Sequence, residues 1–372
     1  MNSFARYSAR LAMVIVGITV TTTTAAQDTS TLGQQISTLI FGEIDYRERE
    51  DQGDDGFVVG QGVAQFNVRL DDRLSVFTEM TATARKDQNT KFQIERLFVR
   101  YDFSDQYKIS AGRYHTPLGY WNSAFHHGSW LQTTVSRPET VKFGSNVIPV
   151  HFVGALLEGN IGDSDFGYKV GYGNGRSDKI NAPGDIGDSN NSRAWMVAGH
   201  YRPPGRLGLH TGFSFYVDEI NPEFEPEIDE QLFGAYLALE REAPEVVVEY
   251  TYANHESSLN EGKVSSIYGQ VAYRLTGRAD KFKPYIRAER LDVDDDDPLL
   301  GALGLDYKGV VAGTRWDFSP FAVLKAEIRH EEFGNTGSRN SFWLQLAFVF
   351  NPGSGSQPYV ARAPQYRVAS SR

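Results

Sequence analysis

Hydrophobic and polar positions alternate with a period of two through about sixteen segments between residues 35 and 350. The last segment, Ser341 to Phe350, shows the pattern most clearly. Phe342, Leu344, Leu346, Phe348 and Phe350 share one face, and Ser341, Gln345 and Ala347 share the other. The same reading predicts strands at 36–46, 57–70, 74–86, 91–103, 107–115, 150–161, 166–174 and 193–202, and again at 207–217, 230–240, 246–254, 263–275, 282–291, 305–318, 322–331 and 341–350. The connections alternate too. Those at 47–56, 116–149, 175–192, 218–229 and 292–304 are long or polar. Those at 71–73, 104–106, 162–165, 203–206 and 319–321 are short and rich in turn-forming Gly, Pro, Asp and Ser. A soluble β-sandwich has no reason to sort its connections by parity. Tilted strands of about nine to eleven residues cross a bilayer, and hydrocarbon tolerates only a sheet with no free edge. The expected fold is all-β: a transmembrane antiparallel β-barrel of about 16 strands.

Alternation also assigns faces. Leu74, Val76, Met80, Ala82 and Ala84 are expected to face lipid, as are Phe66, Val68 and Leu70, and Ile267, Val271, Tyr273 and Leu275. A charge on the lipid face costs about 2–4 kcal/mol near the midplane, so one phase is strongly preferred. The lumen is then expected to hold the bases Arg69, Arg85, Arg96, Arg100, Lys169, Arg274, Lys283, Arg287, Arg315, Lys325 and Arg329. The acids on the same faces are Glu43, Asp45, Glu79, Glu158, Glu249, Glu289 and Glu327. Eleven bases against seven acids predict a weak anion preference, with Arg69, Arg85, Arg96, Arg100, Arg274, Arg287, Arg315 and Arg329 lining the pore.

The N-terminus predicts export. Arg6 and Arg10 precede the apolar stretch Leu11 to Val20, and small residues follow at Thr24-Ala25-Ala26, the pattern of a signal peptide over 1–26. The barrel is expected over 27–350 and a flexible extension, opening Asn351-Pro352-Gly353-Ser354, over 351–372. Charge divides along the same lines. Taking +2 for 1–26 and +3 for 351–372 from the net −10 leaves −15 for residues 27–350, which argues against a nucleic-acid partner. The chain has no cysteine, so no disulfide contributes to stability.

The longest connection, 116–149, is the third loop and differs from the others in content. It holds Tyr120, Trp121, Phe125 and Trp130, the pair His126-His127, and Arg137, Glu139 and Lys142. Exposed aromatic surface of this size favours association, so the loop is expected to fold into the lumen. Tyr120, Trp121, His126, His127, Trp130, Arg137, Glu139 and Lys142 are then the expected constriction. The segment Ala111-Gly112-Arg113-Tyr114-His115-Thr116-Pro117-Leu118-Gly119-Tyr120-Trp121-Asn122 resembles the entry to the third loop of Gram-negative outer-membrane porins, among them the phosphate-selective porin O/P group. Phe350 is similar to the terminal aromatic that barrel assembly machinery reads. The resemblance implies passive diffusion of small hydrophilic solutes or ions, an outer-membrane location amid lipopolysaccharide, and a homotrimer. It departs in two ways: the phosphate-selective members carry Lys and Arg ladders, whereas the loop here offers Arg137 and Lys142 after Pro117, and 22 residues follow Phe350.

Other constellations are weighed against plainer roles. His126 and His127, flanked by His115 and His151, match no zinc-finger or helical metal spacing, so loop packing is expected, and neither a metal nor a cofactor. The aromatic set could also serve as a stacking surface for sugars, but packing the loop needs the same rings. The acid runs Asp218 to Glu230 and Asp292 to Asp297 are expected as solvated loops, with divalent-cation binding the alternative. Gly171-Tyr172-Gly173-Asn174-Gly175 lacks the Lys-Ser/Thr of a phosphate loop, and no Gly-x-Ser-x-Gly occurs. The expected function is a porin without chemistry. The alternatives are an outer-membrane lipid hydrolase, which needs an outward serine and histidine near the rim, and a closed structural or adhesive barrel.

Overall fold

The computed structural model describes residues 35–50, 55–84, 90–176, 187–188, 190–205, 207–222, 226–334 and 336–352. The expected signal peptide, Arg85 and the chain beyond Pro352 lie outside the described residues. Sixteen strands follow in order: β1 (Gln35–Arg49), β2 (Gly56–Arg69), β3 (Leu74–Ala84), β4 (Thr90–Asp102), β5 (Lys108–His115), β6 (His151–Asn160), β7 (Phe166–Asn174) and β8 (Ala194–Tyr201), then β9 (Leu209–Ile220), β10 (Ile228–Leu239), β11 (Glu245–Ser257), β12 (Glu261–Ala272), β13 (Phe282–Val293), β14 (Tyr307–Trp316), β15 (Ala322–Phe333) and β16 (Gly337–Phe350). Each pairs antiparallel with its sequence neighbours, and β1 pairs with β16 from Ile40 opposite Phe350 to Arg49 opposite Ser341. The sheet is a closed barrel.

Every predicted strand forms. Several run past the predicted ends at the long-loop side; β16, for instance, starts at Gly337 rather than 341. A hairpin that leaves the hydrocarbon still satisfies its backbone best by continuing the ladder, and Phe333 pairs with Gly337 to do so. Outward positions are apolar as expected: Phe92, Val99, Phe215, Ile267, Val271, Ile286, Ile328 and Phe342 are all exposed. Rings collect near the short-turn end, where Phe166 stacks on Tyr201 at 4.5 Å and Phe282 on Trp316 at 5.8 Å. Such a belt suits the boundary between lipid and water.

Among the described residues, two bulges interrupt the ladders. One lies between Gly42 and Ile44 of β1 against β2. The other lies on β4: Glu79 of β3 faces Arg96, but Met80 faces Ile94, so Glu95 is an extra residue. Phe92 and Ile94 point out before it, Leu97 and Val99 after it, and both Glu95 and Arg96 turn inward.

The acid runs are only partly the solvated loops expected. The ladder between β9 and β10 extends to Ile220 opposite Ile228, which carries Asp218 and Glu230 into the interior. There the Arg176 backbone N–H donates to Asp218 Oδ2 at 2.7 Å and its guanidinium to Glu230 Oε2 at 3.0 Å. Asp297 is buried as well, 2.7 Å from His255 Nδ1. Alternation within an extended hairpin, rather than loop solvation, decides where Asp218 and Glu230 go, whereas Asp297 is buried from within a turn.

Because β16 closes on β1 at Phe350, truncation after that residue is expected to leave a membrane-inserted, heat-modifiable barrel. Loss of insertion in gel-shift assays of the truncated protein contradicts that end point.

Candidate functional site

The third loop leaves the wall at His115 and returns at His151, the last rung of the β5–β6 ladder. Between them, one helical turn, α1 (Tyr120–Phe125), and a 3-10 turn at Glu139–Val141 are the only regular pieces. Most of this stretch is buried. A buried loop needs partners for its peptide groups, because each one left unmade costs about 1–3 kcal/mol. Lumen side chains supply them. Glu249 of β11 accepts from the Tyr120 and Trp121 N–H groups at 3.1 and 3.0 Å and from the Tyr268 hydroxyl at 3.0 Å. Glu327 of β15 accepts from the Val135 N–H at 2.9 Å and the Tyr285 hydroxyl at 2.9 Å, and Glu289 of β13 accepts from the Glu139 N–H at 2.7 Å.

The bases serve the loop carbonyls. Arg287 donates to Ser136 O at 2.9 Å and Arg137 O at 3.1 Å; Arg315 donates to Trp130 O at 2.7 Å; Lys325 donates to Ser129 O and, at 3.0 Å, to Thr134 O. Across the lumen, the Ser129 hydroxyl donates to Glu43 Oε2 at 2.7 Å and His127 Nδ1 lies 2.7 Å from Gln61 Oε1. The loop is therefore bonded to β1 and β2 on one side and to β11 and β13–β15 on the other. Aromatic packing reinforces it: Trp121 is fully buried, with Phe125 at 5.1 Å and Tyr268 at 6.2 Å. Gly119 makes the turn into α1 with φ of 71°, and a β-carbon there would overlap the Glu249 carboxylate. Two cavities among the described residues lie toward the short-turn side. One, of about 350 Å³, is lined by Lys108, Tyr120, Lys169, His200, Arg202 and Glu240; the other, of about 310 Å³, by Trp130, Glu242, Arg274, Arg315 and Asp317.

The expected constriction residues all belong to this folded-in segment. Tyr120, Trp121, His126, His127, Trp130 and Glu139 are buried, and Lys142 is the most exposed of them, paired with Glu139. Desolvation holds the His126 imidazole well below its ordinary range, with His127 and Arg137 adding to the effect. Burial pulls Arg137 down to about 10, so it remains charged at neutral pH; it stacks on Phe143 at 3.7 Å. Burial also raises the Glu139 carboxyl, against the pull of Lys142.

The expected pore-lining bases fall into three groups. Arg96, Arg100 and Arg329 face the lumen, paired with Glu79 at 2.7 Å, Asp102 at 2.6 Å and Glu331 at 2.5 Å. Arg287 and Arg315 also point inward but are taken up by the loop, Arg315 bordering the second cavity as well. Arg69 and Arg274 sit at the short-turn rim, Arg69 donating to the Asp71 and Asp72 carbonyls and Arg274 pairing with Asp317 at 2.6 Å, because their strands end there. The count of eleven bases against seven acids does not describe this lumen: Glu95, Asp218, Glu230, Glu240, Glu245 and Glu331 also bond inward-facing partners, and two of those partners, Arg176 and Arg202, are further bases.

Four histidines meet on the β3–β6 wall. His115 and His151 face each other across the ladder, and the loop brings His126 and His127 onto them, with ring centroids 4.1 Å apart for His115–His126 and 4.4 Å for His126–His127. Two buried carboxylates adjoin them. Glu95 Oε2 lies 2.9 Å from His151 Nε2 and 3.3 Å from His127 Nε2, and Glu79 Oε1 lies 3.5 Å from His115 Nε2. Glu95 was not among the sequence candidates. Its signal is the slip in apolar phase between Ile94 and Leu97.

No protein-family model and no curated protein matches the chain. Solved structures do match. The anion-selective porin of Comamonas acidovorans aligns with a TM-score of 0.61 at 10% identity over 86% of this chain and 100% of that one. The outer membrane channel DcaP of Acinetobacter baumannii gives 0.57 at 10% over 87% and 99%. In-vitro folded OmpT of Vibrio cholerae, in a trimer form, gives 0.57 at 13% over 86% and 100%. The fold is that of Gram-negative outer-membrane porins. At these identities the likeness concerns architecture alone.

Glu249 tests the anchoring. Glu249→Ala strands two N–H groups and a hydroxyl, and is expected to destabilise the barrel by about 2–4 kcal/mol, with Glu249→Gln recovering much of the loss. Urea titration of the folded barrel reads this; a change below about 0.5 kcal/mol contradicts the role.

Proposed function

We propose that the protein is a porin of the outer membrane: a passive diffusion channel for small hydrophilic solutes or ions, assembled as a homotrimer, with no reaction catalysed. The observation that carries this reading is a polar, charged lumen with residues 116–149 bonded across it. Fold likeness to porins and the porin-like segment Ala111–Asn122 support it, and the trimer form of a protein with the same fold supports the assembly. The barrel assembly machinery and surrounding lipid are its expected partners, with Phe350 closing the last strand.

Selectivity should be weak because most lumen charges sit in ion pairs whose fields largely cancel. One cation near the loop favours anions: Arg137 rests on the Phe143 ring. Lys325 is fully buried against Ser129 O, Thr134 O and Gln345 Oε1 and serves the loop instead. An anion-selective porin shares the fold, which is consistent with this sign.

A closed barrel is the second reading, favoured by the bonds that tie the loop to opposite walls. A lipid hydrolase has less support. His330 is exposed, but its ring partners are Asn340 at 2.8 Å and Glu332 at 3.9 Å, and it bonds no serine among the described residues.

Single-channel recording in planar bilayers separates these readings. Deleting about ten residues around His126–Trp130 is expected to raise conductance and admit larger solutes, and a salt gradient should give a small reversal potential of anion sign. A folded wild type that never conducts favours the closed barrel; unchanged conductance after the deletion, or clear cation selectivity, overturns the constriction or its charge.

A further inference from the structure

We propose that His115, His126, His127 and His151, with the carboxylates of Glu79 and Glu95, form a binding site for one divalent transition-metal ion that fastens the third loop to the barrel wall. One ring nitrogen from each histidine lies within 4.8 Å of the others. Ligands at about 2.1 Å from a metal stand about 3.0–4.2 Å apart, so the cluster needs only small side-chain adjustments to close on an ion. Of the contacts between histidine nitrogens and carboxylate oxygens, those of 3.3, 3.5 and 4.0 Å fall in the same interval, and the one of 2.9 Å lies just below it.

The second argument is what these atoms lack. Nε2 of His115 and of His126 is buried without a hydrogen bond, and so is Oε1 of Glu79, while Nε2 of His127 and of His151 both turn toward the single oxygen Glu95 Oε2. Elsewhere in the lumen, carboxylates and arginines find partners in the loop. Here several polar atoms converge on one another, an arrangement that leaves their lost hydration uncompensated unless a cation takes up the lone pairs.

The outer partners fit the same reading. His127 Nδ1 lies 2.7 Å from Gln61 Oε1, and the Gln61 amide nitrogen turns the other way to donate to Thr83 Oγ1 at 3.0 Å. His127 then donates from Nδ1 and presents an Nε2 lone pair inward, as metal-ligating histidines do. Glu79 uses its other oxygen, Oε2, for Arg96 and Gln65, so Oε1 remains available. Two ligands come from the β5–β6 wall, two from the loop at the end of α1, and the β4 bulge delivers Glu95. The bound ion would link segments that the chain otherwise holds by packing.

Ligand chemistry narrows the ion. Imidazole with carboxylate suits zinc, nickel or divalent copper, whereas calcium and magnesium favour all-oxygen cages, and the cysteine-free chain offers no thiolate to softer metals. Asp294, Asp295 and Asp296, exposed on an outer loop, are a separate set of oxygen ligands.

The test uses the full-length barrel, folded in detergent, stripped with chelator and titrated with Zn²⁺ by calorimetry, with folding of each variant checked by heat-modifiability. One Zn²⁺ per chain is expected, and X-ray absorption of the loaded wild type should show a first shell dominated by imidazole nitrogen. Affinity should fall at least 100-fold in the double variant His126→Ala/His127→Ala and about 10- to 100-fold in Glu95→Gln, with Asp294→Asn/Asp295→Asn/Asp296→Asn unchanged. A first shell of oxygen alone, no binding, or equal affinity in the histidine variant overturns the proposal. Should the double variant misfold, the wild-type absorption spectrum and Glu95→Gln still decide it. These readouts do not depend on whether the lumen conducts.

Discussion

Every peptide group that is shut away from water needs a partner within the protein, and this requirement acts twice in the molecule. Across the bilayer it forces closure: β1 must pair with β16, or two strands would present bare N–H and C=O groups to hydrocarbon. Inside the barrel it acts on residues 116–149. That segment has almost no regular structure, so its backbone groups find acceptors in Glu249, Glu289 and Glu327 and donors in Arg287, Arg315 and Lys325. The lumen charges are thus a scaffold for a loop before they are a lining for a pore. This explains why they sit at mid-strand positions of many different strands, and why so few are left to act on a passing ion.

The architecture was legible because a strand that is apolar on one side and polar on the other writes its faces into the sequence. Ser341 to Phe350 shows its pattern to the eye, and the structure buries Ser341 and Gln345 while exposing Phe342 and Phe350. The loop's inward fold was legible from its rings, since Trp121 and Trp130 have no good place in water. Less legible was the use made of inward residues. Alternation reports that Arg287 and Arg315 point in; it cannot report that loop carbonyls wait there. Arg69 and Arg274 have the right phase but stand at strand ends, where the side chain folds onto a turn or reaches a neighbour's acid.

The histidine cluster shows a different limit. His115 and His126 are eleven positions apart, and His151 is farther still, so no spacing rule unites them. Three-dimensional placement does: a ladder rung pairs His115 with His151, a helical turn ends at His126, and a bulge rotates Glu95. Only the bulge leaves a trace in the sequence, as the slip from Ile94 to Leu97. The acid runs were misread for a related reason. Ladder pairing continues past the lipid, so Asp218 and Glu230 obey strand alternation where a loop was expected.

The account stands on the third loop lying inside the barrel against the β11–β15 wall, and the cysteine-free chain allows a direct check. Thr140 and Ser266 share a hydrogen bond across 126 positions, both buried. In the variant Thr140→Cys/Ser266→Cys, mild oxidation of the folded barrel is expected to form an intramolecular disulfide, visible as altered mobility of the denatured chain without reductant and reversed with it. A folded variant that stays unlinked, with both thiols open to a bulky water-soluble alkylating reagent, would place the loop outside the lumen and contradict the account.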